Sequence, residues 1–268
     1  MGPPAAVTLT RILHACVLVE HGPARVLIDP CFGFFARRPL TRGVTGIRMP
    51  APGAAPESLE GLGALVLTHG HEDHADMEAI ARLPSRDARV FVPAAGLARR
   101  LRRAGFRSVA VIAPWETHRF EGLSLTAVPA RAPNALGEVS YVLLVGGIAV
   151  LHAGDTAWHR SFPEIADRCS PDVGCLPVNG VALLGGRLTM TPAQAARAAA
   201  ALRLKAAVPI HCEMGFGRVS RILYRAAGGE ASFVEAAARI CPRTRVLVAR
   251  RGERVDLTAA IEAPAAFG

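Results

Sequence analysis

The run Thr68-His69-Gly70-His71-Glu72-Asp73-His74 places three imidazoles and two carboxylates within six positions. Neutral imidazole nitrogen and carboxylate oxygen are donors for zinc, manganese or iron. The run follows Ala64 to Leu67, which reads as a short buried strand, and precedes Ala75 to Leu83, which reads as a helix. A loop at the C-terminal end of a strand is where α/β proteins assemble their sites. One histidine in such a loop is usually a surface or core residue, whereas five donor-type residues together point to a bound cation.

Two later residues hold equivalent places. Asp155, in His152-Ala153-Gly154-Asp155-Thr156, follows the strand Ile148 to Leu151, and His211 ends the strand Ala206 to Ile210. Taken singly, each also reads as a turn aspartate or a strand-end histidine. Their shared position after buried strands lets them converge with the first run on one rim. His14 and Asp29 also lie at early strand ends and are candidates for supporting positions. Asn179 reads as either a substrate-facing residue or a turn former ahead of Gly180. Trp158 and His159 follow Asp155 closely enough to line the same pocket.

These side chains need a scaffold of alternating strands and helices. Val7 to Leu13, Cys16 to Glu20 and Arg25 to Asp29 read as consecutive strands, followed by Ala64 to Leu67, Arg89 to Val92 and Ser108 to Ile112. The second half repeats the theme with Leu123 to Val128, Ser140 to Val145, Ile148 to Leu151, Val173 to Leu176, Ala206 to Ile210, Arg245 to Ala249 and Arg254 to Leu257. Helices are expected at Ala94 to Ala104, at Phe233 to Ile240, and from Pro192 to Leu202. Thr191 and Gln194 supply a capping box for the last of these. Two βα-rich halves imply packed layers. No low-complexity linker divides the chain, so residues 1–268 are expected to form one domain.

Composition narrows the class. Hydrophobic residues make up 51% of the chain and charged residues 20%, a globular balance. The longest apolar stretch, Tyr141 to Leu151, is too short to span a membrane and is broken by Gly146 and Gly147. The first residues carry no basic cluster ahead of an apolar core, so a cytoplasmic location is expected. The net charge of +9 comes almost wholly from arginine, Lys205 being the single lysine. The arginines are dispersed apart from Arg99, Arg100, Arg102 and Arg103, which read as the solvated face of an amphipathic helix. The six cysteines form no C-x-x-C pair and read mostly as small buried residues, with Cys212, next to His211, set apart by its position. No motif sets an oligomeric state.

The H-G-H-E-D-H run resembles the H-x-H-x-D-H signature of the metallo-β-lactamase fold superfamily. The A-G-D-T and P-I-H segments match that family's bridging aspartate and last histidine in order and spacing, over a span from Val7 to about Leu257. Ile28-Asp29-Pro30 and Thr189-Met190-Thr191-Pro192 are similar to the branch containing ascorbate-6-phosphate lactonases and N-acyl phosphatidylethanolamine phospholipases. The resemblance implies an α/β fold, a four-layer αββα sandwich, with a two-metal site at the sheet edge. It implies that His69 and His71 hold metal 1, that Asp73, His74 and His211 hold metal 2, and that Asp155 bridges them. Asp73 and Asp155 would also orient the attacking water.

The chain departs from the family at one point. A third metal-1 histidine is expected before the bridging aspartate, but Val128-Pro129-Ala130-Arg131-Ala132-Pro133-Asn134 contains none. Asn134 offers only a poor carbonyl ligand, and the nearest histidines are His118, His152 and His159. Arg131 reads as either a fixed positive charge that grips a carboxylate or phosphate or a solvent-facing residue. One or two divalent ions are therefore expected, zinc first, with manganese or iron as alternatives. The leading expectation is a metal-dependent hydrolase of a small-molecule ester, lactone, amide or phosphodiester, an anionic substrate being one of the forms it would take. The alternatives are a nuclease of the same fold, for which 268 residues leave little room for an added domain, and a mono-metal or non-hydrolytic protein with an altered first site.

Overall fold

The computed structural model describes residues 5–33, 46–131 and 137–263. The first sheet is built from β1 (Thr8–Leu13), β2 (Cys16–His21), β3 (Ala24–Ile28), β4 (Ala64–Val66), β5 (Arg89–Val92), β6 (Val109–Val111) and, at the far edge, β17 (Arg254–Asp256). Its order is β17-β1-β2-β3-β4-β5-β6. The second sheet contains β7 (Thr117–Phe120), β8 (Leu123–Pro129), β9 (Val139–Val145), β10 (Ile148–His152), β11 (Val173–Pro177), β14 (Ala206–Ile210) and β16 (Arg245–Val246). Its order is β16-β14-β11-β10-β9-β8-β7. A small third sheet joins β12 (Ala182–Leu183), β13 (Gly186–Arg187) and β15 (Tyr224–Arg225).

The period-two alternation of the strands sorts their side chains into separate cores. Val17 and Val19 of β2 enter the core between the sheets, with Ile148 and Val150 of β10 facing them. Cys16 and Leu18 point the other way, toward α1 (Met77–Ile80) and α2 (Ala95–Arg103). Ala149 and Leu151 point toward α3 (Phe162–Cys169), α4 (Pro192–Ala201) and α6 (Glu230–Ile240). The result is the expected order of helices, sheet, sheet, helices. Two further helices, α5 (Ser220–Leu223) and α7 (Leu257–Glu262), are peripheral.

Half of each sheet is parallel, and this positions the site. β3 and β4 run parallel, as do β10, β11 and β14. Their C-terminal ends, followed by Asp29, Thr68, Asp155 and His211, therefore open on one side. Two backbone bonds stitch the sheets together there. The His211 N–H donates to the His14 carbonyl at 3.1 Å, and the Val139 N–H donates to the Thr68 carbonyl at 3.2 Å.

The capping box holds as expected. Gln194 N–H donates to Thr191 Oγ1 at 3.2 Å, and Thr191 N–H donates to Gln194 Oε1 at 3.0 Å. Other expectations shift. The helix expected over Ala75 to Leu83 is only the single turn α1, capped by the Asp76 side chain, because the preceding ligand-rich loop occupies its first residues. The strand expected over Arg245 to Ala249 pairs only at Arg245 and Val246. The chain from Arg254 to Leu257 leaves the sheet at Leu257, where Asp256 caps a helix instead.

Candidate metal centre

Three of the parallel strands each deliver one part of a cluster. The loop after β4 carries His69, His71, Asp73 and His74, the end of β10 carries Asp155, and the end of β14 carries His211. His69 Nε2 lies 3.0 Å from His71 Nδ1, so these two nitrogens converge. His74 Nε2 and His211 Nε2 each lie 2.9 Å from the same Asp155 oxygen, Oδ1. Asp73 Oδ2 is 3.7 Å from His211 Nε2 and 3.7 Å from His14 Nε2. All six residues expected as donors are thus brought together, and His14 joins them.

The backbone is held in costly conformations to do this. His14, Asp29 and His211 have φ values of 60°, 49° and 57°, in the left-handed region that non-glycine residues enter sparingly. Gly154, ahead of Asp155, has φ +62°, and a Cβ there would sit 2.9 Å from Glu138 Oε1 and 3.0 Å from the Thr68 side chain.

Asp29 is the hub behind the cluster. Its Oδ1 accepts from Thr68 N–H, and its Oδ2 accepts from the Thr68 hydroxyl, both at 2.7 Å. Its Oδ2 also lies 2.7 Å from His74 Nδ1. A carboxylate can only accept, so the His74 proton resides on Nδ1 and Nε2 is left facing Asp155. Thr68 Oγ1, having donated to Asp29, accepts from His69 Nδ1 at 3.0 Å, which likewise leaves His69 Nε2 toward His71. One buried aspartate thereby sets the tautomer of two imidazoles, the arrangement that orients metal-binding histidines generally.

The acids and imidazoles of the cluster are electrostatically coupled. Burial alone would raise the Asp73 and Asp155 carboxyls. The imidazoles of His14, His211 and His74 instead hold Asp73 well below the usual carboxylate range, and those of His211 and His74 do the same for Asp155. Burial pulls His211 down, but Asp155 and Asp73 carry it up to about 9, and His74, also opposed by burial, is raised well above its ordinary value by Asp155 and Asp29. His69 falls to about 3 through burial and the neighbouring His74, and His14 to about 4 through burial and His211.

Hydrogen bonding does not account for this crowding. His74 Nε2 and His211 Nε2 each lie 2.9 Å from Asp155 Oδ1, yet none of these three buried atoms makes a hydrogen bond of ordinary geometry. The residues therefore fit a divalent cation, and donor atoms of three overlapping sets lie within 4.8 Å of one another: His14, Asp73, His74 and His211; His69, His74 and Asp155; His69, His71 and Asp73.

The remaining expected residues stand outside the cluster. Arg131 is exposed, and its backbone N–H donates to Thr156 Oγ1 at 2.9 Å. His159 is buried against Phe162, with ring centroids 4.1 Å apart. Asn179 is buried, and its Oδ1 accepts from the Thr189 hydroxyl at 2.7 Å, tying the loop that carries Val181 and Thr189. His152 donates through Nε2 to the Ala15 carbonyl at 2.8 Å, and His118 lies in β7 beside Phe91. Trp158 is exposed at the surface. Asn134 lies outside the described residues.

One site residue carries no sequence signal. Glu138 is a lone acid ahead of an apolar strand, yet it is buried in the centre, where its Oε1 accepts from Asp155 N–H at 2.7 Å and lies 3.8 Å from His69 Nδ1. Burial and the neighbouring Asp155 raise its carboxyl well above the ordinary range. Cys212 is held beside Arg11 and Glu230, and burial first of all pushes its thiol beyond the range in which a thiolate forms near neutral pH.

The centre opens into a cleft of about 370 Å³. His71, Asp73, Asp155 and His211 form its polar floor. Ile47, Val181, Leu183, Leu188, Met214 and Tyr224 form its apolar walls.

The chain is similar in sequence and fold to known proteins. The profile of the Beta-lactamase superfamily domain matches residues 24–212. The chain belongs to the beta-lactamase superfamily. A UPF0173 metal-dependent hydrolase of Aeropyrum pernix is 27% identical over 92% of this superfamily member and 96% of the relative. A protein of the same designation from Methanosphaerula palustris is 32% identical over 74% and 80% of the two chains. A possible metal-dependent hydrolase from Veillonella parvula superposes with a TM-score of 0.74 at 19% identity, covering 94% of this chain and all of that one, which establishes a shared fold.

Proposed function

We propose that the protein is a metal-dependent hydrolase that cleaves an acyl or lactone bond in a small molecule carrying an apolar group. The observation that carries this reading is the meeting of His74 and His211 on one oxygen of Asp155, beside the converging pair His69 and His71. His69 and His71 would hold one cation, Asp73, His74 and His211 a second, with Asp155 between them, and imidazole with carboxylate donors suits zinc. When bound, such a cation lowers the pKa of water toward ~7 and withdraws charge from the scissile carbonyl group.

The chain's own residues supply the rest. Asp73 and Asp155, both held ionised near neutral pH, orient the attacking water and take up its proton at a carboxylate oxygen. Asp29 fixes the tautomers of His74 and, through Thr68, of His69. Glu138 anchors the Asp155 backbone. The walls from Ile47 to Tyr224 bind the apolar part of the substrate and exclude bulk water from the floor.

The cleft lining contains no lysine or arginine among the described residues. The described walls are apolar, which supports a substrate that presents an apolar group. The test is a panel of chromogenic acyl esters of rising chain length, lactones and phosphodiesters, assayed with zinc, manganese and iron. Metal-dependent turnover that rises with acyl length supports the reading. Cleavage confined to phosphodiesters overturns the substrate class, and turnover indifferent to chelator overturns the metal dependence.

A further inference from the structure

The two cation positions are unequal in this chain. The first retains His69 and His71 but lacks the third histidine that the superfamily resemblance leads one to expect, since no histidine lies between His118 and His152. The second has Asp73, His74 and His211, and a further imidazole reaches the same space.

That imidazole belongs to His14, at the turn between β1 and β2. Its side chain is fully buried, and neither ring nitrogen has a hydrogen-bond partner. An uncompensated buried polar atom is destabilising, so a ring with two of them needs a reason to be there. Its Nε2 lies 3.7 Å from Asp73 Oδ2, the same separation as His211 Nε2, and its ring lies against that of His211 with centroids 3.7 Å apart. The donor atoms of His14, Asp73, His74 and His211 fall within 4.8 Å of one another.

The backbone is built to keep the ring there. A hairpin turn with φ of 60° is a place for glycine or asparagine, and histidine bears the conformational cost. The His14 N–H donates to Glu213 Oε2 at 2.5 Å, and its carbonyl accepts from His211 N–H at 3.1 Å. Glu213 is itself held by Arg11 at 3.2 Å and by Arg251 at 3.1 Å. An ion network thus clamps the turn to the loop carrying His211.

We propose that His14 is a direct ligand of the second cation position, which therefore has four protein donors before Asp155 is counted. This rests on the metal-dependent reading above and deepens it. The second position holds its ion tightly, while the first, reduced to His69, His71 and the shared Asp155, exchanges its ion readily and keeps room for water and substrate.

The test uses the full chain loaded with cadmium, its histidines labelled with nitrogen-15. Scalar coupling between the cadmium nucleus and ring nitrogens is read for wild type and for His14→Gly and His14→Asn, both of which suit the turn's backbone. Cadmium affinity is measured by chelator competition. The proposal expects two affinity classes in wild type, with His14 among the coupled imidazoles of the tighter one. It expects that coupling to vanish in both variants, with the tight class weakened at least tenfold and the weak class unchanged. Coupling at His74 and His211 without coupling at His14 overturns it, as does unchanged tight binding in both variants. Failure of wild type to bind cadmium at all overturns instead the metal reading on which it stands.

Discussion

Replacing Asp29 by Asn tests how the centre is organised from behind. Asparagine tolerates a φ of 49°, so the backbone is undisturbed and the change is confined to one carboxylate oxygen. The Thr68 N–H keeps an acceptor in the amide oxygen, whereas the new NH₂ group meets the Nδ1 proton of His74 across 2.7 Å. His74 must then lose its bond or move its proton to Nε2, the atom that faces Asp155. A hydrogen bond to a charged group contributes about 1.5–3 kcal/mol. The Thr68 hydroxyl can turn to accept from the amide, so the expected net loss is about 2–3 kcal/mol, or roughly 5–10 °C in the melting temperature of the metal-free protein. Metal affinity, read by chelator competition, falls roughly 10–100-fold. Asp29→Asn protein that binds zinc as tightly as wild type would refute the tautomer argument, whatever its melting temperature.

Other perturbations follow from the same geometry. Gly154→Ala forces a Cβ to within 2.9 Å of Glu138 Oε1 at a left-handed φ and is expected to cost about 1–3 kcal/mol in denaturant unfolding, with a parallel loss of metal. Asp155→Asn is expected to keep the fold by circular dichroism while lowering metal content and turnover together. His211 is raised to about 9 from its ordinary 6.5 by Asp155 and Asp73 against the pull of burial. In the metal-free protein its contribution to stability is therefore full below pH 6.5 and is lost as the pH rises through about 9. Melting curves of metal-free protein should fall across that window, and a flat profile would contradict the pairing. Leu183→Ala, on the apolar wall, should raise KM for long acyl esters several-fold, about 1 kcal/mol of lost burial, without changing metal content.

Much of the centre was legible because metal chemistry restricts residue type. A cation needs imidazoles and carboxylates, and a short loop after a buried strand can present several of them at once, as His69 to His74 do. Asp155 and His211 were legible because parallel strands send their C-terminal ends to the same side. The capping box of α4 was legible because both of its bonds lie within four residues. Glu138 was not, since its role depends on a contact with the Asp155 backbone 17 residues away. His14 was read as a supporting residue because nothing local distinguishes a turn histidine from a donor, and only the crossing of the two sheets brings it to Asp73. The turn α1 fell short of its expected length because the ligand loop competes for the same residues, a tertiary demand that helical periodicity does not register.

The central claim is that strand ends from both sheets grip divalent cations between them. A crystal structure of zinc-loaded protein with anomalous scattering measured at the zinc edge tests it most directly. The account predicts a zinc peak among Asp73, His74, His211 and Asp155, at roughly 2.0–2.2 Å from the donor atoms, and a weaker one beside His69 and His71. Fully loaded protein with no anomalous peak between these residues, or with its zinc held elsewhere, would contradict it.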